Sequence, residues 1–131
     1  MKNIVTLILI FLGLSLSAQT PQSFKYQAIA RDGIGNVLVN KVVSFRISIL
    51  QGSVSGSTAY SETHLKTTNA FGLTDLEIGH GTPVSGNFAA ISWGSDDYFI
   101  KVEMDPNGGN SYQMMGTSQL LSVPYALYAL I

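Results

Sequence analysis

Four apolar residues at every second position, Val43, Phe45, Ile47 and Ile49, alternate with Ser44, Arg46 and Ser48, and this stretch limits the fold more than any other. In a strand, successive side chains point to opposite faces, so the spacing builds one β-branched and aromatic face and one polar face. On a helix the same four residues would be scattered around the axis. The stretch predicts a central core strand in a sheet with one buried side.

Weaker versions of the pattern recur. Phe24, Tyr26, Ala28 and Ala30 alternate with more polar neighbours, as do Leu76 and Ile78, and Tyr98, Ile100, Val102 and Met104. Thr58 to Thr68 alternates with little bulk on either face and predicts an edge or near-edge strand, its charges discouraging further pairing. Tyr112 to Leu121 completes the set. Turn-forming clusters separate these runs: Asp32-Gly33-Ile34-Gly35-Asn36, Gln51 to Ser57, Asn69-Ala70-Phe71-Gly72 and Asp105 to Asn110. Gly79 to Asn87 is the longest irregular stretch, after which Phe88, Ile91 and Trp93 are expected to drop into the core. Six or seven short strands, with a turn signal every ~8–12 residues, describe an antiparallel sandwich or barrel. No helical stretch lies between them to make parallel units.

The ends read differently. A basic start, an apolar run from Ile4 to Leu16 and small residues at Ser15, Ser17 and Ala18 have the order of a secretory signal peptide over residues 1–18. Residues 19–23 are then a flexible lead-in and 24–123 the β domain. From Pro124 to Ile131 the residues suit a short helix, since Pro at a first helical position loses no hydrogen bond. Below ~12–15 residues a helix is marginal alone. This one is expected to dock or to connect to something larger, with Tyr125, Leu127, Tyr128, Leu130 and Ile131 as the partner-binding candidates.

Composition narrows the function. Residues 19–131 suffice for one core. With Lys2 gone, six Lys or Arg face eight Asp or Glu, a balance that steers toward neither nucleic acid nor an anionic membrane. No cysteine is present, so neither a disulfide nor an acylated Cys is available. Charged residues make up 11% against ~25% in an average domain, as expected of an extracellular β-protein or of a face that meets a partner.

Motifs for chemistry are sparse. Gly52-Ser53-Val54-Ser55-Gly56 has Val54 where a nucleophile elbow needs Ser. Of the two histidines, His64 shares a strand face with Glu62 on what reads as a solvated edge while Ser61 points away, and His80 sits between two glycines as a turn residue. Neither is expected to be catalytic. Asp105, Asn107 and Asn110 contain the beginning of an oxygen-rich calcium loop, with Asp96-Asp97 as further ligands if the hairpin brings them near. Gly116 stands where an EF-hand needs Glu, so no cofactor is expected, a looser calcium site being the alternative to plain turn chemistry. Glu62, Asp75, Glu77 and Glu103 are read as scattered outward carboxylates. Trp93 with Tyr98, Tyr60 and Tyr112 would make a glycan platform if exposed, and core if not.

Several segments carry a resemblance: Pro21 to Ala28, Arg31-Asp32 with Gly35-Asn36, Phe45 to Leu50, Tyr60 to His64, Asn69 to Leu73, Ile91-Ser92-Trp93, Tyr98 to Glu103 and, most specific, Met115 to Ala129. In these the chain resembles N-terminal modules of exported proteins of Bacteroidota-type bacteria. The resemblance implies a transthyretin-like or immunoglobulin-like sandwich that leads a longer surface protein with a stalk, fibre or sorting region, and it implies no catalytic residues. The function expected is that of a secreted, non-catalytic structural or interaction module at the cell surface or in the periplasm. A glycan-binding module is the alternative, and a small hydrolase a more distant one.

Overall fold

The computed structural model describes residues 22–121. Seven strands follow in order: β1 Phe24–Ile29, β2 Val42–Gln51, β3 Ser57–Thr67, β4 Leu73–Ile78, β5 Thr82–Gly86, β6 Tyr98–Asp105 and β7 Gln113–Gln119. The only helical element among the described residues is a single 3-10 turn, Phe88–Ala90, capped by the Asn87 side chain. The strands form two antiparallel sheets, one of five strands in the order β5-β3-β2-β6-β7 and one of two, β1-β4.

The cleanest alternation in the sequence lies at the centre of the larger sheet. Val43, Phe45, Ile47 and Ile49 of β2 are all at 0% exposure, flanked by Ile100, Val102 and Met104 of β6 and by Tyr60 of β3. Against this face pack Phe24, Ala28, Leu76 and Ile78 of the smaller sheet, so both sheets share one core. Each of the larger of these side chains contributes roughly 1.5–3 kcal/mol by leaving water. Phe88 and Trp93 close one end of it. Trp93 is half-buried, with its ring 5.2 Å from Tyr98 and 5.7 Å from Phe88, both at steep angles.

One expectation holds and one is corrected. β3 is near the edge, as read, between β2 and the edge strand β5. Its inward positions include the polar residues Glu62 and His64, which hide the buried face from a count of apolar residues. The outer neighbour, β5, lies in the stretch read as irregular; all five of its residues are exposed, and it is a strand through backbone pairing with β3 alone. Conversely, residues 37–39 form no strand beyond a single bridge between Arg31 and Val37.

The signal peptide, the segment from Pro124 and all five partner-binding candidates, Tyr125, Leu127, Tyr128, Leu130 and Ile131, lie outside the described residues. Among the described residues, no helix is long and apolar enough to cross a membrane.

Candidate interaction site

Four strands lie at sheet edges, β5 and β7 in the larger sheet and β1 and β4 in the smaller. An unpaired edge invites pairing with other chains unless charge, Pro or shortness blunts it. β4 carries Asp75 and Glu77, β1 carries Lys25, and β5 has five residues and Pro83. β7 has no such protection. Gln-Met-Met-Gly-Thr-Ser-Gln contains no charge and no Pro, and Met114 and Met115 are 60% and 40% exposed.

The inner side of β7 is also thin. Its register on β6 places Gly116 opposite Val102 and Ser118 opposite Ile100, with a bulge that leaves Met115 over. Small residues at those two inward positions leave room, and a Cβ added at Gly116 would meet nothing within 4 Å. The result is a cleft of about 410 Å³ between residues 26–29 of β1 and residues 115–118 of β7, with the core residue Val102 also lining it. Two strand edges, apolar thioethers and unfilled volume therefore coincide at one side of the molecule.

The polar cluster at the other edge of the large sheet is closed instead. Glu62 is fully buried. One of its oxygens accepts hydrogen bonds from the Tyr60 hydroxyl at 2.7 Å and the Gly79 amide at 2.8 Å, and the other meets His64 Nε2. Gly79 can present that amide because it turns at a φ of +107°, where a Cβ would come 2.4 Å from the Gln22 carbonyl oxygen. Burial pushes the Glu62 pKa up, but the hydrogen bonds from His64, Tyr60 and Gly79 outweigh it and hold the carboxyl below its ordinary value. Burial, with the Glu62 charge beside it, raises the Tyr60 phenol. Ser61, the nearest serine in sequence, faces the other side of the sheet and pairs with Ser48. The sequence reading of Glu62 as outward and His64 as solvated is thereby overturned: alternation gave the shared face correctly, and Tyr60 was the signal that this face is the inner one.

On the outer face Arg46 holds Glu103 through two hydrogen bonds of 3.0 and 2.8 Å and lies 4.7 Å from the Tyr112 ring centroid. That contact holds the Glu103 carboxyl below its usual range. It also separates the aromatics proposed for a glycan platform. Tyr112 is on the outer face, Tyr60 and Tyr98 are buried, and Trp93 belongs to the end of the core.

The calcium candidates are placed as turn chemistry. Asp105 accepts the Asn107 amide on one oxygen and the Ser111 amide on the other, at 2.9 and 3.0 Å. Asn107 and Asn110 are exposed. Asp96 and Asp97 precede β6 whereas Asp105 ends it, so the strand's eight residues separate them by roughly 25 Å rather than bringing them together. No group of three or more His, Cys, Asp or Glu side chains suited to a metal occurs among the described residues.

Residues 25–117 match a family described as Domain of unknown function (DUF8740). The chain belongs to this family. The DUF8740 match runs from the start of β1 into β7, so it includes residues on both sides of the cleft and the Glu62 cluster as well. No curated protein and no solved structure matches the chain.

Sequence reasoning passed over Met114, Met115 and Gly116 as a site. The available signal was an uncharged, Pro-free seven-residue strand next to the end of the domain.

Proposed function

We propose that this DUF8740 chain is a structural or interaction module of an exported, cell-surface or fibre-like protein, that it performs no catalysis, and that the β1/β7 cleft is its working surface. Its two sheets are read as the layers of a transthyretin-like or immunoglobulin-like sandwich. The observation that carries the reading is the β7 edge: an uncharged strand with two exposed methionines beside a cleft of mixed polar and apolar lining. Export is supported by the pattern of residues 1–18, and the resemblance to leading modules of surface proteins supports the address.

Thioether oxidation tests this directly. Cells producing the protein and the purified chain are treated with the same dilute peroxide, and sulfoxide is measured by mass spectrometry. Met114 should be oxidised more slowly on the cells, where the edge is engaged. Equal rates in the two preparations would remove the edge as an interaction surface.

A further inference from the structure

We propose that β7 pairs with β7 of a second copy of this chain, antiparallel about a two-fold axis at Thr117, so that two five-stranded sheets join into one of ten strands. The inference rests on the reading of the β7 edge as an interaction surface and names what occupies it.

The free backbone groups fix the register. The Leu120 amide donates to the Tyr98 carbonyl at 2.9 Å, and the ladder runs on through Ser118 opposite Ile100 and Gly116 opposite Val102. In an antiparallel pair successive residues direct their backbone groups to opposite sides. Leu120, Ser118 and Gly116 therefore bond to β6, while Thr117 and Gln119 turn their amides and carbonyls to the open edge. A two-fold axis at Thr117 lets that residue exchange both bonds with its own copy. Gly116 then stands opposite Ser118 of the second copy in a pair without hydrogen bonds, where Cα atoms lie roughly 4.5 Å apart. The thin inner positions of β7 meet at the seam, and no bulky side chain keeps the strands apart.

Symmetry also sets a condition on charge. Across a two-fold axis each residue meets itself or its mirror-related partner, so a charged strand opposes like charges. β4 centred on Leu76 would set Asp75 against Glu77, and Pro83 removes an amide from β5. Of the four sheet edges, β7 alone carries neither charge nor Pro. The nearest charge in the row of Thr117 is Lys101 on β6. Its two copies would be three strand spacings apart, about 14 Å, beyond the ~8 Å over which exposed charges act at physiological salt. Thr117 facing Thr117 adds a cross-strand pair of a favourable kind. An edge of seven residues falls short of the ~20–30 residues per side of a standard interface, so the pairing is weak and depends on concentration.

The absence of native cysteine makes the test clean. Gly116→Cys, whose side chain enters open space, and Ser118→Cys, a near-isosteric change, are made in separate full chains. In the proposed register positions 116 and 118 of opposite copies can be bridged, whereas each lies roughly 8 Å from its own counterpart, beyond the ~7 Å limit for a disulfide. Oxidation of the two variants mixed at high concentration should give the mixed dimer in about tenfold excess over either homodimer, against about twofold for random collision. A random ratio, or no dimer, would overturn the pairing. Hydrogen exchange of the Thr117 and Gln119 amides is followed in the unmodified chain as well. Exchange that slows as protein concentration rises supports the second copy. Exchange that is fast at every concentration overturns it, as does protection already present at the lowest, which would give the edge to another stretch of the same chain. Met114 oxidation on cells reads the edge whatever its occupant. Failed cross-linking with Met114 still shielded on cells removes the second copy alone, and failure of both removes the interaction surface too.

Discussion

At one end of the five-stranded sheet, β5 is five exposed residues long, carries Pro83 and borders the buried carboxylate of Glu62; at the other, β7 is seven residues long, uncharged and backed by a cleft. The β5 end is fixed by polar groups that satisfy one another inside the protein. Glu62 joins β3 to the turn at Gly79, and Gly81 lies so close that an added Cβ would stand 2.7 Å from His64 Nε2 and from the Thr63 carbonyl oxygen. The β7 end has open space at the corresponding depth. A buried hydrogen-bonded cluster admits one arrangement, whereas an apolar edge accepts whatever extended chain reaches it. On the function proposed above, rigidity belongs to one edge and association to the other.

The strongest way to break this comparison is Glu62→Ala, which leaves the Tyr60 hydroxyl, the Gly79 amide and His64 without their shared partner. A loss of about 3–5 kcal/mol is expected, read from guanidinium unfolding. A loss below about 1 kcal/mol would mean that the cluster does not hold the β5 edge. Next come two glycine substitutions that should part company. Gly81→Ala forces a Cβ against the backbone of Thr63 and should cost about 1–3 kcal/mol. Gly116→Ala enters open space and should leave stability within about 0.5 kcal/mol. Equal effects would erase the contrast between the two ends.

Acid sharpens the comparison further. Because the folded-state pKa of Glu62 is lowered, its contribution is complete above the ordinary value of 4.5 and is lost as pH falls through the lowered folded value. Urea midpoints measured from neutrality to about pH 3 should therefore decline less steeply in Glu62→Gln than in the parent; parallel curves would contradict this. The smallest effect on stability, within about 0.5 kcal/mol, is expected of Met114→Lys on exposed β7. Its consequence should be seen in sedimentation at high protein concentration, where a charge on the edge should reduce self-association. Unchanged association would place the contact elsewhere.

The parts of the fold that were legible are those in which burial and alternation coincide. β2 and β6 display their inward faces as Val43 to Ile49 and Tyr98 to Met104, and both are strands as expected. β5 was illegible because Thr-Pro-Val-Ser-Gly buries nothing, and only the backbone of β3 makes it a strand. Glu62 was placed on the correct set of positions and the wrong side of the surface, since a satisfied buried carboxylate has the same letter as a solvated one. The cleft could not be read at all. It depends on β1 pairing with β4 and thereby lying across from β7, and strand order across such distances in sequence leaves no local pattern.

That same pairing has a consequence in time. Gln27 and Asp75, joined across the β1–β4 ladder, are 48 residues apart in sequence, whereas β2 with β3 and β6 with β7 close as neighbours along the chain. Loop-closure entropy opposes the distant pair until something else has drawn its ends together. The same entropy opposes β2–β6, where Arg46 and Glu103 are 57 residues apart, so the two hairpins should form first and both long-range pairings close later. During that interval Phe45, Ile47 and Val102 stand exposed on separate hairpins, so the moment of greatest risk for this chain comes before its long-range pairings have closed.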